Sequence, residues 1–105
     1  MGFKDYQEEV DRWAKQFNPP YWPALEQFAR LAEEVGEVAR EINHLYGIKK
    51  KKADESQRNL EQELCDVIFT AICIANSHNI NLEEEWKKMM GQKHYGRDNK
   101  RFERK

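Results

Sequence analysis

The stretch "ALEQFARLAEEVGEVAREINHLY", residues 24–46, decides the fold. Leu25, Phe28, Leu31, Ala32, Val35, Val38, Ile42 and Leu45 recur at spacings of three and four, which is the period of an amphipathic helix and not of a strand. Three prolines precede it, at positions 19, 20 and 23, and Gly47 follows as a natural C-terminal cap. A long helix is therefore expected from Ala24 to about Tyr46.

The flanking segments repeat the pattern. Phe3, Tyr6, Val10, Trp13 and Phe17 mark a first helix over residues 3–17, which "NPPYWP" (18–23) ends, because prolines forbid continuation and push their predecessors toward extended shapes. After the second helix, "KKKK" at 49–52 and "ADESQRN" read as a polar loop. A third helix starts near Ser56 or Asn59 and runs to about Ser77; its segment "CDVIFTAICIA" is apolar almost all round, so burial on most sides is expected. Asn81 is a candidate N-cap for a fourth helix, with Glu83–Glu85 near the positive end of its dipole. No segment alternates with period two, so the chain reads as all-α.

At 105 residues, residues 1–105 are expected to form one domain with one core. A helix buried all round is hard to cover in so short a chain, and a second copy would cover it; an oligomer is expected. Apolar residues make up 39% and charged residues 35%, with a net charge of −1. Acids crowd residues 26–41 and 61–66, and bases crowd 49–52 and 97–105. That distribution argues against a nucleic-acid binder, whose footprint is uniformly basic. No apolar run approaches the roughly 20 residues of a membrane span, and no secretion signal is visible at the N-terminus. Cys65 and Cys73 sit about 12 Å apart along one helix, too far to pair, which suits a reducing compartment. A soluble cytoplasmic chain is expected.

On the second helix Glu34, Glu37 and Glu41 lie at i, i+3 and i+7 and border the apolar stripe. On the third, Glu63 and Asp66 are at i and i+3, and Asp66 opens the most apolar segment of the chain, where an ionised carboxylate needs compensation. Antiparallel packing of the two helices would set Glu34 and Glu37 opposite Glu63 and Asp66. Such a set is either a solvated acidic face or a site for a hard cation, Mg²⁺ or alternatively Mn²⁺, which is usually completed by substrate phosphates. Gly36, poorly suited to a helix interior, would let a backbone or ligand approach between the acids.

These residues resemble the signature of MazG-like nucleotide pyrophosphohydrolases: E-E-x-x-E at Glu33, Glu34 and Glu37, then E-x-x-D at Glu63 and Asp66. The similarity to the small YpjD-like members of this all-α superfamily extends from about residue 20 through "ARLAEEVGEVAREINHLYG", "EQELCDVIFTAICIANSHNINLEE" and the closing K-x-x-x-RD. It implies a four-helix bundle completed by oligomerisation, as a homodimer or dimer of dimers, and Mg²⁺-dependent cleavage of a nucleoside triphosphate to monophosphate and pyrophosphate. By position, Glu34, Glu37, Glu63 and Asp66 would hold the metal, and Glu33 would orient or deprotonate the attacking water. Lys93 and Arg97 are candidates for the triphosphate, although this chain has "KHYGR" where some relatives carry an asparagine. Trp22 is the best aromatic for the base, with Trp13 and Tyr21 as alternatives. Two rival readings remain: a di-iron bundle, for which Glu41 and His44 supply only one Glu-x-x-His pair, and a non-catalytic helical interaction module with a surface acidic face.

Overall fold

The computed structural model describes residues 1–48 and 59–103. Four helices follow one another: α1 (Phe3–Ala14), α2 (Ala24–Tyr46), α3 (Leu60–Ser77) and α4 (Leu82–Lys88). The last continues without a break as a π-helix over Met89–Asp98 and a final turn, Asn99–Arg101. No strand occurs among the described residues.

The local chemistry explains the boundaries. Asp5 accepts a hydrogen bond from the Gly2 backbone N–H at 2.9 Å and so opens α1. That helix stops at Ala14, a turn earlier than the spacing to Phe17 suggests, because residues 15–17 tighten into short-range bonds (Phe17 N–H to the Ala14 carbonyl, 3.0 Å) ahead of the two prolines. The α2 boundaries match the expected ones, and the Gly47 N–H closes the helix on the Asn43 carbonyl at 2.9 Å. Asn59 caps α3 through a reciprocal pair with Gln62, at 3.0 and 3.2 Å. Asn81 caps α4 by accepting from the Glu84 N–H at 3.2 Å. The lysine run 49–52 and a start near Ser56 lie outside the described residues. The tail after Gly91, which shows no clear period in the sequence, is helical.

α2 and α3 pack against each other along their length, α1 crosses α3, and α4 docks on α1. A chain of bonds ties the last three together. Gln7 donates to Asn76 Oδ1 and to the Ile80 carbonyl, both at 2.8 Å, and accepts from the Leu82 N–H at 3.0 Å. Aromatic contacts reinforce it, with Phe3 on Trp86 and Trp13 on Phe69 at centroid distances of 5.3 and 5.7 Å.

The packing of α2 runs against expectation. Its inward face carries Gln27, Glu34 and Glu41, a heptad apart and all buried, while Leu25, Phe28, Val35, Ile42 and Leu45 face outward. Phe28 is 66% exposed and Leu25 83%. Within the single chain α3 is covered on part of its surface: Leu64, Ile68 and Phe69 are exposed, and of its apolar residues Ile72 and Ala75 are buried. The described core is small, adding Val10 and Ala14 to those two. The radius of gyration, 17.2 Å, exceeds the roughly 13 Å of a compact chain this long. A Cβ built at Gly36 meets nothing within 4 Å, so no described part of this chain approaches the position closely. No described helix is long and apolar enough to cross a membrane.

Candidate active site

The polar seam between α2 and α3 brings three carboxylates together. Glu34 from α2 and Glu63 and Asp66 from α3 each offer an oxygen, all within 4.8 Å of one another, and this is the one group of three or more potential metal ligands among the described residues. Glu34 is 7% and Glu63 4% exposed, so two of the three negative charges are withdrawn from water. Such a set is stable only with compensating cations or donors. Part of that compensation is Arg30, one turn before Glu34, whose Nε donates to Glu34 Oε1 at 2.6 Å. The donor set is all oxygen and suits a hard divalent cation.

The remaining motif acids stand aside. Glu37 is half-exposed and pairs loosely with Arg40, 3.9 Å away. Glu33 is exposed and borders a shallow depression with Trp22, Glu26, Ala29 and Arg30. Glu41 and His44 do not join any group of three ligands among the described residues.

A cleft of about 450 Å³ opens beside the acids, and Glu34 and Asp66 are part of its wall. The rest of the lining is mostly apolar and aromatic: Trp13, Phe17, Pro19, Pro20, Tyr21, Trp22 and Phe69. The proline-rich connection supplies much of this wall, and Tyr21 pins it: its hydroxyl donates to Asp11 at 2.7 Å and accepts from Asn76 Nδ2 at 3.0 Å. Burial and the bond to Asp11 push the Tyr21 phenol up to about 12. Lys15 and Tyr21 together hold the Asp11 carboxyl below its ordinary range. Cys73 lines the same cleft, and burial pushes its thiol up, which favours the protonated form. Trp22 lies at the rim, half-exposed, with the Arg30 guanidinium 5.9 Å from its ring centroid. Lys93 and Arg97 are exposed on the π-helical segment, and neither lines the cleft. Arg97 pairs with Asp98 at 3.2 Å, and His94 reaches the same carboxylate at 2.9 Å.

Sequence reasoning passed over two residues here. Arg30 bridges the acids and the aromatic rim, and Gln27 forms part of the cleft wall. Both carried a signal, since they precede Glu34 by four and by seven positions and share its helix face.

Three comparisons with known proteins identify the family. Residues 24–102 match the MazG nucleotide pyrophosphohydrolase domain. The uncharacterized Bacillus subtilis protein YpjD is 49% identical over 102 residues, covering 97% of this chain and 91% of its own. The crystal structure of Bacillus subtilis YpjD, described as a candidate pyrophosphatase, superposes with a TM-score of 0.78 at 47% identity over 90% of this chain and 96% of that one. The Bacillus-conserved MazG protein, described as a nucleotide pyrophosphohydrolase, gives 0.75 at 44% identity over 88% of each.

Proposed function

Since the chain belongs to the MazG nucleotide pyrophosphohydrolase family, we propose that it hydrolyses a nucleoside triphosphate to the monophosphate and pyrophosphate, using the acid cluster and the aromatic cleft as two halves of one site. The observation that carries this is their juxtaposition: Glu34 and Asp66 belong to both the three-carboxylate group and the cleft wall.

Glu34, Glu63 and Asp66 would hold Mg²⁺, with Mn²⁺ as the alternative, and Glu37 lies one helical turn from Glu34 on a side chain free enough to join them. Such an ion neutralises phosphoryl oxygens and acidifies water. The protein's own groups do the rest. Glu33 accepts the proton of the attacking water as the water oxygen bonds to a phosphorus of the α–β bridge; the bridging P–O bond breaks, and its electrons leave with the other phosphoryl group, giving monophosphate and pyrophosphate. Trp22 stacks on the base, and Arg30 is a cation between that ring and the acids. The triphosphate is assigned to Lys93 and Arg97. Because neither lines the cleft of its own chain, this contact suits delivery from a second copy in a homodimer or dimer of dimers, which would also cover the outward apolar stripe of α2. Such an activity would suit a house-cleaning role in a cytoplasmic nucleotide pool.

The test is product analysis with a panel of nucleoside triphosphates and Mg²⁺. Monophosphate plus pyrophosphate is expected, lost on chelation and in Asp66→Ala and Glu37→Ala proteins of unchanged helical content. Diphosphate plus phosphate, or full activity in both variants, would overturn the assignment.

A further inference from the structure

Gln27 lies two turns before Glu34 on the inward face of α2, is only 4% exposed, and forms part of the cleft wall beside Tyr21, Trp22 and Thr70. Its carboxamide is half satisfied. The Ser77 hydroxyl, shared with the Ile74 carbonyl, donates to Gln27 Oε1 at 3.1 Å, whereas Gln27 Nε2 is buried and has no hydrogen-bond partner. Two other neutral polar groups of the wall have their protons engaged: Thr70 Oγ1 donates back to the Asp66 carbonyl at 2.9 Å and the Tyr21 hydroxyl donates to Asp11 at 2.7 Å. Leaving an amide donor buried and unpaired is costly, and native proteins seldom do so without a use for it. An apolar side chain of the same shape would fill this position at no such cost.

We propose that Gln27 is the specificity residue of the cleft, donating its amide N–H to an exocyclic carbonyl oxygen of a nucleobase held between the aromatic walls. The inference rests on the nucleotide reading given above and adds its substrate class. Bases bearing such an oxygen, of the uracil, thymine, guanine or hypoxanthine kind, are preferred to adenine, which has none. Ser77 acts as a positioning residue, since its hydroxyl donates to the amide oxygen and leaves the nitrogen as the unpartnered atom. A site built to donate a hydrogen bond discriminates against a ligand that cannot accept it, because the donor is again left unpaired.

Two measurements test this together. The first compares kcat/KM for dUTP and dGTP with that for dATP; the second titrates dUMP, dGMP and dAMP into the protein and follows Trp13 and Trp22 fluorescence, which needs no turnover. The wild type is expected to favour the oxo bases by about tenfold or more, the equivalent of one hydrogen bond. In Gln27→Met the ratio falls toward unity while the melting temperature is unchanged or raised. Ser77→Ala should lower the ratio through KM and not kcat. A wild type without base preference, or a Gln27→Met protein that is less stable but keeps the wild-type ranking, would overturn the proposal and leave Gln27 a structural residue. If no triphosphate is turned over, the hydrolase reading fails, yet the monophosphate titrations still decide the base contact, and an absence of all binding refutes it.

Discussion

Replacing Glu63 by Gln should make the metal-free protein more stable and abolish its response to Mg²⁺. Glu63 is 4% exposed, and its carboxylate shares a sphere of 4.8 Å with those of Glu34 and Asp66. At that separation each like-charged pair costs about 0.9 kcal/mol in bulk water and about 3.5 kcal/mol at an effective dielectric of 20. Gln keeps the shape, removes the charge and exchanges one acceptor oxygen for an NH₂ donor that the neighbouring carboxylates can accept. Arg30 already offsets part of the field at Glu34, so a net gain of about 1–3 kcal/mol is expected in EDTA, each kcal/mol raising the melting temperature by roughly 4–8 °C in a domain of this size. With Mg²⁺ at a hundred times its dissociation constant the wild type should gain about 2.7 kcal/mol and close the gap, because the ion binds the folded state alone. Urea unfolding of both proteins, with EDTA and with MgCl₂, at one protein concentration, is the assay. A Glu63→Gln protein less stable than wild type in EDTA, together with a wild type indifferent to Mg²⁺, would mean that internal donors satisfy the cluster, and the cation argument would fall.

Three further outcomes are expected. Gly36→Ala should raise the unfolding free energy measured in urea by about 0.5–1 kcal/mol, since the added methyl meets nothing within 4 Å; a loss of stability would put a second chain over that position. Tyr21 binds its proton more tightly in the folded state, its phenol being pushed up from 10.0 to about 12 by burial and by Asp11, so its contribution is intact below pH 10 and disappears as pH rises toward 12. Unfolding followed across that range should show a falling limb that is shallower in Tyr21→Phe, and an unchanged limb would refute the assignment. Phe28→Asp, on the outward stripe at 66% exposure, should convert an assembled wild type to monomer in sedimentation at micromolar concentration, and a wild type already monomeric there would sink the oligomer.

Helix existence was legible because the chemistry is local. Apolar spacing, three prolines, Asn59, Asn81 and Gly47 each act within a turn of their own position, and α2 lies where they put it. Which face of α2 turns inward was not legible from the apolar stripe, since hydrophobic periodicity reports a face that wants covering and not what covers it. The spacing of seven between Gln27, Glu34 and Glu41 was the better guide to the inner seam. The acids of α3 could be placed opposite Glu34 by taking successive helices to pack antiparallel, which the contacts of Gln27 with Ser77 and of Glu34 with Glu63 and Asp66 bear out. Glu37 could not be separated from Glu34 by sequence, as three positions on a helix decide between a buried seam and an exposed flank. The cleft was partly visible in Trp22. Its completion by Phe69, Thr70 and Cys73 depends on how α3 crosses the proline-rich connection, which only tertiary structure supplies.

The inverted packing of α2 has a consequence for how the protein behaves when scarce. A chain that spends carboxylates and an amide on its own seam, and turns Phe28, Val35 and Ile42 to the outside, directs most of its hydrophobic driving force toward whatever covers those side chains. When another copy does so, folding becomes a second-order process: the melting temperature climbs with protein concentration, and dilution works as an off switch that no mutation or inhibitor is needed to throw.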